Sequence, residues 1–402
     1  MRILRKEIRR ILSIKLLAIL VLFSVCFSFL FLSIAQEFWN YSSSQWDVDF
    51  YRELVSEFGT ELSIDEWDAF LAKRQQLIDD FMTEVRKSPV MQKYEIDTYD
   101  KYYEAYERLV FADNMTDEDE ELRNDINRLI FEDEVASPIS FKLQCMDQIC
   151  DDKERGHIFT DSESADKFIS EMYAGKQNED YQRLYKHYMT ADSITLIHRA
   201  ATETVDGDLV KMLILSAVWC FVLILPYQIG ERLRGIRDIQ LCTKTGRKCF
   251  NKQAAASVMV GLIIGIMLCA VYAVLLARKG AFDFAACKIS SHGYEYWLDM
   301  TYGQYLSFYA VFMLLSSAGS ALLAYFVGRL SANYIAGIGI AIPTVAALCT
   351  AMDFLGIAPF NDKWNVTMEL SILRACGVPL VCAVCVTAVC IMLKRDKVRD
   401  IL

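Results

Sequence analysis

The residues best equipped for chemistry gather in one short stretch, Glu231 to Lys252, which reads ERLRGIRDIQLCTKTGRKCFNK. Arg232, Arg234, Arg237, Lys244, Arg247, Lys248 and Lys252 supply cationic donors there, and Glu231 supplies a carboxylate. Guanidinium groups bind carboxylates, phosphates and carbonyl oxygens through a fixed fork of donors, so this stretch is suited to docking rather than to bond-breaking. No nucleophile elbow, H-E-x-x-H pair or P-loop occurs. Gly246-Arg-Lys248 lacks the preceding glycine-rich loop, so no familiar ATP cradle is present.

Other reactive types are scattered. Cys145 and Cys150 are close enough in sequence to close a small loop in an oxidising compartment, or to stay two thiols. Cys382-Ala-Val-Cys385 has redox spacing, but it lies in an apolar run, where cysteine acts as a small hydrophobe. His157, His187, His198 and His292 show no paired ligand spacing, so no metal site is predicted. The acidic run Asp117–Glu121 lacks the alternating pattern of a calcium loop and fits the first turn of a helix, where the dipole favours negative charge.

The elements that must position these residues follow from hydrophobicity and charge. The chain has 402 residues, is 54% hydrophobic and carries a net charge of −10. The charge is uneven: about 41 acidic and about 18 basic residues fall between Gln36 and Asp208, and the remainder is net basic. No basic stripe interleaved with aromatics suggests nucleic acid. Six apolar runs approach the roughly 20 residues that cross a bilayer: Leu16–Ala35, Met212–Gly230, Ala254–Ala277, Tyr305–Gly328, Tyr334–Met352 and Ala375–Leu393. If they alternate, the N-terminal basic cluster, the 231–252 stretch, Arg329 and the basic tail all face one side. By the positive-inside tendency that side is the cytoplasm, with both termini inside a cell membrane. Ser33-Ile34-Ala35 also resembles a signal cleavage site, which leaves five spans as the alternative.

The expected fold is therefore mainly α. A six-helix membrane bundle carries a large, mostly helical extracytoplasmic domain between its first and second spans. Residues 1–35 form an amphipathic entry helix and the first span, residues 36–208 the polar domain, and residues 209–402 the remaining five spans. Within the polar domain, Ser63 with Glu66 reads as a capping box before a helix ending at Ser88-Pro89. Tyr99, Tyr102, Tyr103, Tyr106 and Leu109 mark a second helix, and Thr116, Asp161 and Tyr181 lie at or near the starts of three more. Ile139–Ile149 and Ser193–His198 are read as short strands. The tyrosines form either a ligand surface or a packed core with wet rims. Gly261-x-x-x-Gly265 permits close helix approach, within one bundle or between two chains. Pro226 and Pro343 predict kinks.

In order and spacing, Glu231, Gly235, Leu241, Thr245, Gly246, Arg247 and Lys252 resemble the first cytoplasmic loop of type 2 ABC exporter permeases. The layout is similar too: a basic N-terminus, one span, a large external domain, then five spans. The resemblance implies a transport subunit without catalysis of its own. It would pair with a second, identical or paralogous permease and with cytosolic ATPases that bind ATP and magnesium. The 231–252 loop would couple to the ATPase through Glu231, Arg232, Arg234 and Arg237, while Arg247 and Lys252 anchor it to lipid or partner. Another reading from the residues is a receptor whose external domain binds a ligand. A membrane-embedded enzyme lacks the intramembrane acid, histidine or Ser-Lys set it would need.

Overall fold

The computed structural model describes residues 2–32, 34, 45–110, 116–172, 179–242, 244–289, 300–356 and 368–398. Asn114, Gly175, His292 and Lys363 lie outside them, as do the side chains of Asp353 and Arg374. The chain is mainly helical and divides into two compact units. The first comprises Met1–Ser42, Arg199–Ala285 and Tyr296–Leu402, and the second Ser43–His198 with Ala286–Glu295.

In chain order, α1 (Arg2–Ile11) and α2 (Ile14–Phe31) open the first unit. The second unit holds α3 (Gln45–Phe58), α4 (Trp67–Val85), α5 (Pro89–Lys93), α6 (Tyr99–Val110), α7 (Asp117–Phe131), α8 (Ala136–Arg155), α9 (Ser162–Met172) and α10 (Glu179–Met189). The first unit resumes with α11 (Arg199–Leu233), α12 (Ile236–Cys242), α13 (Lys244–Arg278), α14 (Tyr302–Leu330), α15 (Tyr334–Gly356) and α16 (Met368–Val398).

Among the described residues, five helices are long and apolar enough to cross a membrane: Ile14–Phe31, Thr204–Leu233, Lys248–Arg278, Tyr302–Leu330 and Tyr334–Ala351. This marks a membrane protein. The sixth run, Ala375–Leu393, is helical inside α16. Burial ranks the spans: α11 and α14 are mostly covered by the rest of the chain, and α2 is almost bare. So α11 and α14 form the centre and α2 stands at the rim, where lipid rather than protein must cover its side chains. Pro226, Pro343 and also Pro379 lie inside continuous helices.

The α13–α14 seam explains the glycine spacing. A Cβ added at Gly261 would meet Ser317 O at 2.6 Å and Ala321 Cβ at 2.7 Å, and one at Gly265 would meet Ser317 Oγ at 3.0 Å. Only hydrogen lets these backbones come so close, and the partner helix belongs to the same chain.

In the second unit the caps fall where the sequence predicts them. Ser63 and Glu66 form a capping box, and Thr116 and Asp119 form another at the start of α7, whose first turn holds Asp117, Glu118, Asp119 and Glu120. Asp161 Oδ1 accepts from the amides of Glu163 and Ser164 at the start of α9. Tyr99, Tyr102 and Tyr106 belong to a core, while Tyr103 is exposed. Tyr102 and Leu109 are buried with Phe81, Met82, Val85, Leu122, Ile126 and Leu143, and Tyr99 and Tyr106 pack against that cluster.

Two expectations change. Ile139–Ile149 is helical, inside α8. Its alternating start is outweighed by Ala136, Ser140, Leu143, Met146 and Ile149, buried at helical spacing. The boundary of the polar unit falls at His198 rather than Asp208, because Arg199–Leu233 is one uninterrupted helix. The second predicted strand is present in part. Glu61–Ser63 pairs antiparallel with Ser193–Thr195, Leu62 opposite Ile194. The 286–289 segment joins this ribbon, with Thr195 Oγ1 donating to Lys288 O at 2.8 Å and Lys288 Nζ 3.0 Å from Glu61 Oε1.

Cys145 and Cys150 are free thiols on the same helix, α8. Five residues of helix separate their Cα atoms by about 7.5 Å along the axis, past the roughly 7 Å limit for a disulfide. Burial pushes the Cys150 thiol up to about 11, so it is a poor nucleophile at neutral pH.

Candidate functional site

Helix α11 has 35 residues, about 52 Å at 1.5 Å per residue, well beyond the roughly 30 Å hydrocarbon core of a bilayer. Its apolar stretch is bracketed by carboxylates, Asp206 and Asp208 toward one end and Glu231 at the other. Asp208 and Glu231 lie about 34 Å apart along the axis, so both fall where water or headgroups begin. Each end of the first unit carries a polar cluster.

At the Glu231 end the basic stretch is held to the bundle by backbone acceptors. Arg232 Nη1 donates to Ser331 O at 2.7 Å, and Arg237 Nη1 donates to Arg329 O at 2.6 Å. Both carbonyls lie at the α14–α15 turn. Arg329 itself is buried, its guanidinium stacked 3.9 Å from the centroid of Phe250. Gly235 separates α11 from α12 at φ +69°, a conformation that costs a glycine little. Glu231 is buried beside Arg10 of α1, 3.5 Å away, and its Oε2 accepts no hydrogen bond among the described residues. Glu7, also buried, lies 3.8 Å from Arg10 and accepts from the Tyr227 hydroxyl.

This sorts the sequence-predicted site residues. Glu231, Arg232 and Arg237 are turned to partners inside the chain, while Arg234 and Lys252 are exposed. Gly246 is half-buried. Thr245 and Arg247 lie in α13, and their side chains are outside the described set. What remains exposed on and before α12 is mixed: Leu233, 55% exposed, Ile239, 68% exposed, Arg234, Asp238 and Cys242. Two exposed apolar side chains among charges of both signs, Arg234 and Asp238, make a small mixed surface.

At the opposite end, Asp208 is wholly buried. It accepts from Ile34 N at 2.9 Å and Tyr272 Oη at 3.3 Å, and Lys211 Nζ lies 3.4 Å away. Asp206 accepts from the hydroxyls of Tyr305 and Tyr309. Beside them is an apolar cavity of about 410 Å³ between α11, α13 and α14, lined by Leu209, Met212, Ala273, Leu306 and Met313 among others. Sequence reasoning passed over this cluster. The signal was there in part: Tyr302, Tyr305 and Tyr309 stand at i, i+3 and i+7 on one helix face.

Among the described residues no group of three or more His, Cys, Asp and Glu side chains could hold a metal ion. Cys382 Sγ donates to Leu315 O at 3.0 Å inside the bundle. His198 is buried edge-on to Tyr51, with ring centroids 4.9 Å apart, and burial lowers it to about 4.

Comparison with family models, with curated proteins and with solved structures finds no match to this chain.

Proposed function

We propose that this chain is the membrane-spanning permease subunit of an ATP-driven ABC exporter, with α12 and its flanks as the element that docks on a separate cytosolic ATPase. In this reading six helices span the plasma membrane, both termini are cytoplasmic, and the second unit is extracytoplasmic. A second permease, identical or paralogous, completes the transporter, and the ATPases bind ATP and magnesium. The observation that carries the reading is the mounting of α12. Arg237 on α12 donates to the carbonyl of Arg329 and Arg232, at the end of α11, to that of Ser331, while Leu233, Arg234, Asp238 and Ile239 stay exposed. A push on α12 is transmitted to α11 and α13, against which it packs, and through Arg237 to the end of α14. A short helix fixed to three spans and open on its other side is suited to such coupling.

The resemblance of Glu231, Gly235, Leu241, Thr245, Gly246, Arg247 and Lys252 to the exporter loop supports the same reading. In this reading Arg234, which is exposed, meets the partner, with Arg232 and Arg237, which bond to carbonyls within the chain, behind it as anchors. The test is co-purification of the detergent-extracted chain with the ATPase encoded by the adjoining reading frame. Arg234→Glu combined with Ile239→Asp is expected to lower recovery of that ATPase by about tenfold or more, the usual loss when an interface anchor is removed. Undiminished recovery refutes the docking face. Cys242, exposed on α12, is expected to react with a membrane-impermeant maleimide only after permeabilisation. Labelling in intact cells removes the orientation on which the assignment rests.

A further inference from the structure

Helix α2 leaves a long apolar slot against α11 and α13, with a volume of about 710 Å³. From α2 it is lined by Val21, Ser24, Val25, Ser28, Phe29 and Leu32, a single helix face that extends about 16 Å. Met267 to Lys279 line it from α13 over about 18 Å. Each length matches half of a roughly 30 Å hydrocarbon core, that is, one leaflet. Beyond its apolar wall the slot is lined by two cations, Arg278 and Lys279. Its sides are not covered by protein: Val21, Val25, Phe29 and Val271 are all exposed although they line it. Two polar contacts hold this part of the chain to α11, Trp219 Nε1 to Ser24 Oγ at 2.8 Å and Ile34 N to Asp208.

We propose that this slot is a binding site for one anionic phospholipid, with an acyl chain against Val25, Phe29 and Leu268 and the headgroup phosphate at Arg278 and Lys279. Three features select that occupant. The walls belong to membrane spans, so the surrounding medium is lipid. The slot is one leaflet long, which fits an acyl chain and not a second helix crossing both leaflets. The charge sits only at the interfacial end, where basic residues between spans recognise anionic headgroups. The lipid is resident rather than cargo: it completes the packing of α2, which protein alone leaves almost bare.

The test uses the full chain in nanodiscs of phosphatidylcholine doped with brominated phosphatidylglycerol or brominated phosphatidylcholine. The background has Trp39, Trp46, Trp67, Trp297 and Trp364 replaced by Phe, so that Trp219 at the slot wall reports bromine by quenching. Brominated phosphatidylglycerol is expected to quench at about a tenfold lower mole fraction than brominated phosphatidylcholine, the size expected of one or two basic residues at an anionic headgroup. Arg278→Glu with Lys279→Glu should abolish that preference and leave acyl-chain quenching intact. Ser28→Trp, read by native mass spectrometry of retained lipid in the otherwise wild-type chain, should expel the lipid. Equal quenching by both lipids in the parent chain overturns the proposal, as does a preference that survives the charge reversal. The charge-reversal pair lies at a helix end, so the proposal stays testable if Ser28→Trp does not fold.

Discussion

Adding one methyl group at Gly261 should unseat the α13–α14 seam, and the size of the effect follows from the distances. In Gly261→Ala the new Cβ would sit 2.6 Å from Ser317 O and 2.7 Å from Ala321 Cβ. Ordinary contact is about 3.3 Å to oxygen and about 3.5 Å or more between carbons, so the overlap is about 0.7 Å. Ser317 O is backbone and cannot rotate away, so the helices must part. A gap of 0.5–1 Å forfeits roughly a quarter to a half of each dispersion contact along the seam. Overpacking of this kind costs about 1–3 kcal/mol. Alanine's better helix propensity returns at most about 1 kcal/mol. With the full propensity gain the net expectation is about 0–2 kcal/mol of destabilisation. Gly339→Ala is the matched control, since nothing lies within 4 Å of its added Cβ. It gains the propensity and loses no contact, so its sign should be opposite or zero. SDS-titrated unfolding in mixed micelles, followed by far-UV circular dichroism, reads both. Gly265→Ala, facing the movable Ser317 Oγ and Leu314 Cδ2 at 3.0 and 3.1 Å, should fall between. Equal midpoints for Gly261→Ala and Gly339→Ala would refute the close-packed seam.

Two further outcomes follow from buried polar groups. His198 is lowered from 6.5 to about 4 by burial. The unfolded chain therefore takes up a proton below about pH 6.5 while the folded second unit does not until about pH 4. Stability contributed by the neutral ring is complete above that window and is lost as pH falls through it, by up to about 3 kcal/mol. Protease resistance of the 43–198 unit in the full chain should drop between pH 6.5 and 4.5, and His198→Phe should flatten that part of the profile. At the other buried cluster, Asp208→Leu leaves the Ile34 amide and the Tyr272 hydroxyl without their acceptor. Each such loss costs about 1–3 kcal/mol, so about 2–6 kcal/mol is expected by SDS titration, whereas Asp208→Asn keeps an acceptor and should lose less than half as much.

Much of the local structure was legible in the sequence because its causes are local. Ser63 with Glu66, Thr116 before four acids and Asp161 ahead of a helical stripe each satisfy amides a few residues away, and each caps a helix here. The amphipathic pattern of residues 2–11 likewise predicts α1, with Ile11 buried. The misreading of Ile139–Ile149 has the opposite origin. Its first residues alternate, and the helical choice is made by burial against elements distant in sequence. The candidate docking element was found by its charges, but half of its arginines turned out to be structural. Arg232 and Arg237 bond to carbonyl oxygens nearly a hundred residues away, and a carbonyl has no letter in the sequence.

The sequence by itself determined which segments are apolar enough to suit a membrane, where many helices begin, and that Glu231–Lys252 carries the cations. Each of these rests on hydropathy, cap chemistry or charge, properties a residue has before any contact forms. Tertiary structure alone decided that Gly261 and Gly265 face Ser317 and Ala321, that Asp208 gathers Ile34, Tyr272 and Lys211, and that α12 is tethered on one side and open on the other. These depend on which helix faces meet across long loops, and that choice is made by packing fit among spans that are equally apolar in sequence.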